Sequence, residues 1–293
     1  MFHGSLVALV TPMNEDGSID YNGLFKLVDW HLENETDGLV ILGSTGESAT
    51  IEANEREKLI ISVINRVKDR IPVIVGTGSN STHHTILLTQ QAMELGADAA
   101  LIVVPYYNKP TQEGLYQHFK MVAKAVPIPQ ILYNVPSRTI TDLKPECVQR
   151  LTECNNIIGI KEATGNLERI DQLKNCGIDL YSGDDNSAIE FMLKGGKGWI
   201  TVVGNILPQL THRITIMTSE GKREESIKVG ESLKELLKIL NVESNPIPVK
   251  WALKEMGMIN ADLRLPLTPL SVQFRELLAT ELRTRGLIES PIG

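Results

Sequence analysis

The chain has 293 residues, 42% hydrophobic and 22% charged, a globular composition that excludes wholesale disorder. Its 29 basic and 36 acidic residues leave a net charge of −7, which argues against a nucleic-acid binder with its basic face. A cytoplasmic protein is expected, for three reasons. Cys147, Cys154 and Cys176 form no CxxC pair, no stretch approaches the roughly 18 apolar residues of a membrane span, and MFHGSLVALVTPMNEDG lacks the basic lead-in of a signal peptide.

Short apolar runs recur along the chain at 5–10, 38–42, 72–75, 99–104, 130–133, 157–160, 179–182 and 199–203. They do not alternate with polar residues, as expected of strands buried on both faces. Between them apolar residues recur at helical spacing: Leu24, Leu27 and Val28; then Leu59, Ile60, Val63, Ile64 and Val67; then Leu88, Ala92, Met93 and Leu95. Residues 54–57 read as a capping box, with Asn54 as N-cap and Glu57 three residues on, and Pro72 and Gly96 read as helix stops.

Eight strands alternating with helices predict an α/β fold, the (β/α)8 TIM barrel. The alternative, an open doubly wound sheet, normally has fewer strands and a glycine-rich phosphate turn. Past residue 205 no strand pattern returns, and 222–240, 246–257 and 271–286 read as helices. The expected division is a barrel with the active site over 1–224 and a small C-terminal helical domain over 225–293.

In such a barrel the loops after the strands build the site. Gly43-Ser-Thr-Gly-Glu-Ser48 places two hydroxyls between glycines, whose amides suit an anion such as a carboxylate, although a tight turn alone would use the same residues. Tyr106 and Tyr107 sit between two prolines, as a lid, an interface or packing. Tyr133 ends the fifth run and suits proton transfer, or a half-buried aromatic role. Arg138 suits a carboxylate clamp or a surface ion pair.

Lys161 follows four apolar residues, so its amine is expected in the barrel mouth, desolvated and nucleophilic toward a carbonyl. Asp184 and Asp185 have no histidine at useful spacing and read as a cap of the next helix rather than a metal site. His83 and His84 are not placed for a triad, and no serine lies in a GxSxG elbow. Without a metal cluster or a phosphate loop, the set fits cofactor-free imine chemistry on a small keto acid.

These residues lie in motifs that resemble the dihydrodipicolinate synthase family of class I pyruvate aldolases: GSTGESAT (43–50), PYYNKPTQEGLYQHF (105–119), YNVPSRT (133–139), NIIGIKEATGN (156–166), SGDD (182–185) and NPIPVKWA (245–252). The resemblance runs end to end. It implies a (β/α)8 barrel with C-terminal helices, a homotetramer built as a dimer of dimers, and condensation of pyruvate with L-aspartate 4-semialdehyde. Carried over by motif, Lys161 forms the Schiff base and Tyr133 relays protons. Ser44 and Tyr107 complete the relay, Tyr107 from the neighbouring subunit. Thr45 and the 44–45 amides hold the pyruvate carboxylate, and Arg138 holds that of the semialdehyde. The carbonyl after strand eight falls on Val203, and Asn186 stands where the family usually has a glycine after the acidic pair.

Two departures matter. Ser44 replaces the usual threonine and loses the methyl that restricts its rotamer. At the family's lysine feedback site, Ser48, Ala49, Asn80 and Tyr106 match the pattern, but Ala53, Arg56 and His84 replace His, His and Glu. Weak or absent inhibition by lysine is expected, because a cationic ligand then meets Arg56 instead of a carboxylate. The sugar-acid lyases of the same superfamily share the lysine and the tyrosine, so those two residues alone do not separate the readings.

Overall fold

The computed structural model describes residues 2–289. Eight parallel strands close into a barrel in sequence order: β1 (Gly4–Ala8), β2 (Gly38–Ile41), β3 (Val73–Gly76), β4 (Ala99–Val103), β5 (Gln130–Asn134), β6 (Ile157–Glu162), β7 (Asp179–Ser182) and β8 (Gly198–Thr201), with β8 pairing back onto β1. The expected TIM barrel is therefore the fold. Its strands are short, and nearly every strand residue is buried, which explains the unbroken apolar runs.

Several boundaries differ from the sequence reading, each for a physical reason. β6 runs on through Lys161 and Glu162. Alternation then sends Lys161 into the barrel and Glu162 outward, where Glu162 accepts hydrogen bonds from Asn134 Nδ2 at 3.1 Å and from the Thr164 amide at 2.9 Å. β8 stops at Thr201 because the amides of Val202 and Val203 donate to the Asp185 carboxylate instead of to a neighbouring strand. β3 begins at Val73, after Pro72, which has no N–H to give. The helix before it ends at Val67, so Pro72 is not its stop; Lys68 closes it in the left-handed conformation.

The barrel interior is filled by an apolar cluster that includes Leu6, Val40, Ile74, Leu101, Ile131, Tyr133, Tyr181 and Ile200. Tyr181 needs glycine at two neighbouring strand positions. A Cβ at Gly159 would sit 2.7 Å from its ring, and one at Gly198 would sit 3.1 Å from it. Tyr133 and Tyr181 of this cluster are the strand neighbours of Lys161 in register.

The helices expected after the first three strands span Tyr21–Glu33, Ala53–Val67 and Thr82–Glu94, and a fourth, Gln112–Ala125, follows β4. The second starts earlier than expected. Its N-cap is Glu52 rather than Asn54, and the box is closed by Glu55, whose carboxylate also pairs with Arg264. The stretch 222–240 forms two helices, Arg223–Glu231 and Lys234–Ile239. Near the break lies Gly230, packed so tightly on Ile189 that a Cβ would fall 2.1 Å from its Cδ1. Ile247–Glu255 and Val272–Thr284 complete the C-terminal helices. One apolar cluster runs from Val7, Leu9 and Ile41 of the barrel wall to Leu236, Leu253 and Leu278 of these helices.

Candidate active site

Parallel pairing of β5 with β6 puts Tyr133 and Lys161 directly side by side, both pointing inward. Lys161 is only 6% exposed, and its Nζ lies 4.3 Å from the centre of the Tyr133 ring. Tyr133 is 7% exposed. A buried amine beside a phenol at the top of a barrel is the arrangement that carbonyl condensation needs: a nucleophile, and a group able to hand protons to the oxygen that leaves.

A cavity of about 210 Å³ opens over this pair. Ser44, Thr45, Arg138 and Asn186 line it with Lys161 and Tyr133, so the structure brings together six of the site residues expected from the sequence. Thr45 is 3% exposed, and its Oγ1 accepts a hydrogen bond from Asn245 Nδ2 at 2.9 Å. Arg138 Nη2 donates to the Asn245 carbonyl at 3.1 Å. The hydroxyl and the guanidinium both reach the cavity over the lysine, supplying two anchors for substrates with carboxylate groups. Residue 245 lies 200 positions from Thr45, and no local pattern foretells that contact.

The two other expected residues, Tyr107 and Val203, do not line this cavity. Tyr107 lies outside the cavity, with its side chain 87% exposed and its backbone at φ 74°. Val203 is fully buried, and its carbonyl accepts from the amides of Ile206 and Leu207; Val202 lines the cavity instead. Asn186 is exposed where it lines the cavity. The glycine against the lysine is Gly183, before the acidic pair rather than after it, where a Cβ would lie 2.7 Å from Lys161 Cε.

The acidic pair divides its work. Asp184 accepts from the amide and hydroxyl of Ser187 at 3.0 and 2.6 Å, which ties the turn before the helix Ala188–Leu193; the N-cap of that helix is Ser187, not Asp184. Asp185 does not cap it either. It accepts from Trp199 Nε1 at 2.8 Å and from the Val203 amide at 2.8 Å, tying the end of β8 to the loop after β7. Burial raises its pKa, and these donors oppose the rise. No group of three or more His, Cys, Asp or Glu residues positioned for a metal ion occurs among the described residues.

A second cavity, of about 600 Å³, shares Ser44, Tyr133, Arg138 and Asn245 with the first. Of the residues matched to a feedback site, Ser48, Ala49, Arg56, His84 and Tyr106 line it, whereas Asn80 and the exposed Ala53 do not. Arg56 is 6% exposed, donates from Nη2 to the Gly76 carbonyl at 2.7 Å, and is pulled down to a pKa of about 10 by burial.

A profile of the Dihydrodipicolinate synthetase family matches residues 1–285. The chain is 60% identical over 287 residues to 4-hydroxy-tetrahydrodipicolinate synthase of Coxiella burnetii, covering 98% of this chain and 99% of the relative. It is 53% identical over 292 residues to the enzyme of that name from Nitrosococcus oceani, covering 99% of this chain and all of the relative. Among solved structures, the chloride-inhibited dihydrodipicolinate synthase from Acinetobacter baumannii complexed with pyruvate superposes with a TM-score of 0.96 at 49% identity, over 98% of this chain and 100% of that one. With the match extending from the first strand through the C-terminal helices, the chain belongs to the dihydrodipicolinate synthetase family.

Proposed function

We propose that this chain condenses pyruvate with L-aspartate 4-semialdehyde to 4-hydroxy-tetrahydrodipicolinate, the step that opens diaminopimelate and lysine biosynthesis. The observation that carries the reading is the buried Lys161 amine beside Tyr133, in one cavity with Thr45 and Arg138.

Lys161 Nζ attacks C2 of pyruvate, and the resulting carbinolamine loses water to give an imine. Tyr133 carries the proton that the departing oxygen takes. Loss of a C3 proton leaves an enamine, whose carbon adds to the aldehyde of the second substrate; the new alkoxide takes up a proton. The amine of the second substrate then attacks the imine carbon, closes the ring and releases Lys161. Thr45 and the neighbouring amides hold the pyruvate carboxylate, and Arg138 holds that of the semialdehyde. Ser44 lines the cavity beside Tyr133 and supports the relay.

Tyr107 supports a homotetrameric reading. An aromatic side chain 87% exposed, on backbone at φ 74°, is held away from its own cavity, as suits a group delivered to a neighbouring subunit. The reading places the enzyme in the cytoplasm; its three cysteines are free, and no helix among the described residues is long and apolar enough to cross a membrane.

The test compares initial rates of pyruvate consumption with L-aspartate 4-semialdehyde for the wild type and Lys161→Ala. Turnover that collapses in the variant is expected. A folded wild type that consumes no pyruvate with this aldehyde refutes the substrate assignment and shifts weight to the sugar-acid lyases.

A further inference from the structure

The loop that carries Ser44 and Thr45 is held from outside the barrel. Glu47, two residues past Thr45, adopts left-handed backbone at φ 55° and turns its side chain inward, where it is 1% exposed. Its Oε1 accepts from Lys250 Nζ at 2.6 Å, and the Lys250 side chain is 0% exposed. The same ammonium donates to the Thr11 carbonyl at 2.9 Å, and the Thr11 hydroxyl donates to the Gly46 carbonyl at 2.8 Å. The other oxygen of Glu47 accepts from the Arg264 amide at 3.2 Å. Lys250 and Asn245 thus grip the loop at two points, one at the Glu47 carboxylate and one at the Thr45 hydroxyl itself.

A buried ion pair is weak evidence for stability, because desolvation offsets its attraction and a neutral pair of similar size often serves as well. What this pair does supply is direction. It anchors a non-glycine residue that sits in a backbone region L-residues avoid, two positions past the Thr45 hydroxyl. Neither Glu47 nor Lys250 lines the cavity over Lys161.

We propose that Glu47 and Lys250 are positioning residues, which set the 43–48 loop so that Thr45 and the adjacent amides meet the pyruvate carboxylate. The proposal rests on the assignment of pyruvate to Lys161. It makes the C-terminal helical segment part of the binding geometry of the barrel.

The test uses the full chain and borohydride trapping of the imine, read by intact mass against pyruvate concentration. The paired variant Glu47→Gln/Lys250→Met removes both charges without leaving one unpaired. The expected result is a half-saturating pyruvate concentration raised about tenfold, with nearly complete trapping at saturating pyruvate and a melting temperature close to that of the wild type. A purely structural role would lower the melting temperature and leave half-saturation alone. Half-saturation within twofold of wild type in the folded double variant overturns the proposal. If the double variant does not fold, Glu47→Gln alone carries the same readout: a rise of about threefold supports the proposal and no change overturns it. A wild type that traps no pyruvate overturns the imine reading and the proposal with it, and that failure is told apart because it appears before any substitution is made.

Discussion

Replacing Gly183 with alanine tests whether the position of the Lys161 amine limits the chemistry. Gly183 lies outside the left-handed backbone region, so alanine meets no conformational penalty there. The new methyl would fall 2.7 Å from Lys161 Cε, 2.9 Å from Lys161 Cγ and 2.8 Å from Ala163 Cβ. Carbon atoms pack at about 3.5–4.0 Å, so the lysine stem must retreat by roughly 0.8 Å. Overpacking of this kind costs about 1–3 kcal/mol, because the lysine stem can swing away but Ala163 Cβ gives way only with its backbone. The consequence for catalysis is larger, since displacing a reacting group by about 1 Å can cost on the order of 100-fold. The expected outcome is a fall in kcat of about 10- to 100-fold, and slower borohydride trapping, in a protein that still folds and melts up to about 10 °C below wild type. A folded Gly183→Ala enzyme with kcat within twofold of wild type would refute the reasoning, because the lysine would then tolerate a shift that the geometry says it must make.

Ser44→Thr is expected to retain full activity or gain slightly, because the added methyl narrows the hydroxyl's rotamers; a sharp loss in initial rate would contradict this. Lysine at submillimolar concentration is expected to leave the initial rate unchanged, since the cavity holding Ser48 and Tyr106 presents the buried Arg56 to a cationic ligand; clear inhibition sinks the idea. Acid should destabilise the fold through His31, which is fully buried and has its pKa lowered by burial from 6.5 to about 3. The unfolded chain takes up this proton below pH 6.5 and the folded chain does not until about pH 3, so stability falls as pH drops through that window, by up to roughly 1.4 kcal/mol per unit. Urea midpoints measured between pH 7 and 4 should show a shallower slope in His31→Gln, and an unchanged slope would exclude the histidine as the cause.

The repeat of apolar runs and helical spacings pointed to the barrel over an open sheet, because a strand covered on both faces has no polar positions to spare and eight is the number that closes, while the closure itself lies in the pairing of β8 with β1. Lys161 and Tyr133 were legible for the same reason: each is a polar group at the end of an apolar run, at the level where barrel chemistry sits. Short elements were not legible. Pro145–Leu151, Glu168–Leu173 and Ala188–Leu193 span two turns or fewer, too few for a period to show.

Other features depended on contacts between segments far apart in the chain. Asp185 looked like a cap until the ends of β7 and β8 met and turned its carboxylate toward Val203. Gly183 stood in the sequence only as part of SGDD, and its role showed once the lysine stem lay against it. Asn245 and Lys250 carried no chemistry of their own in the sequence, yet they touch Thr45 and Glu47, 200 and 203 positions away along the chain. Local sequence carries the period of an element and the chemistry of a side chain. Which atoms from distant segments come within hydrogen-bonding range is set only when the packed layers bring them together.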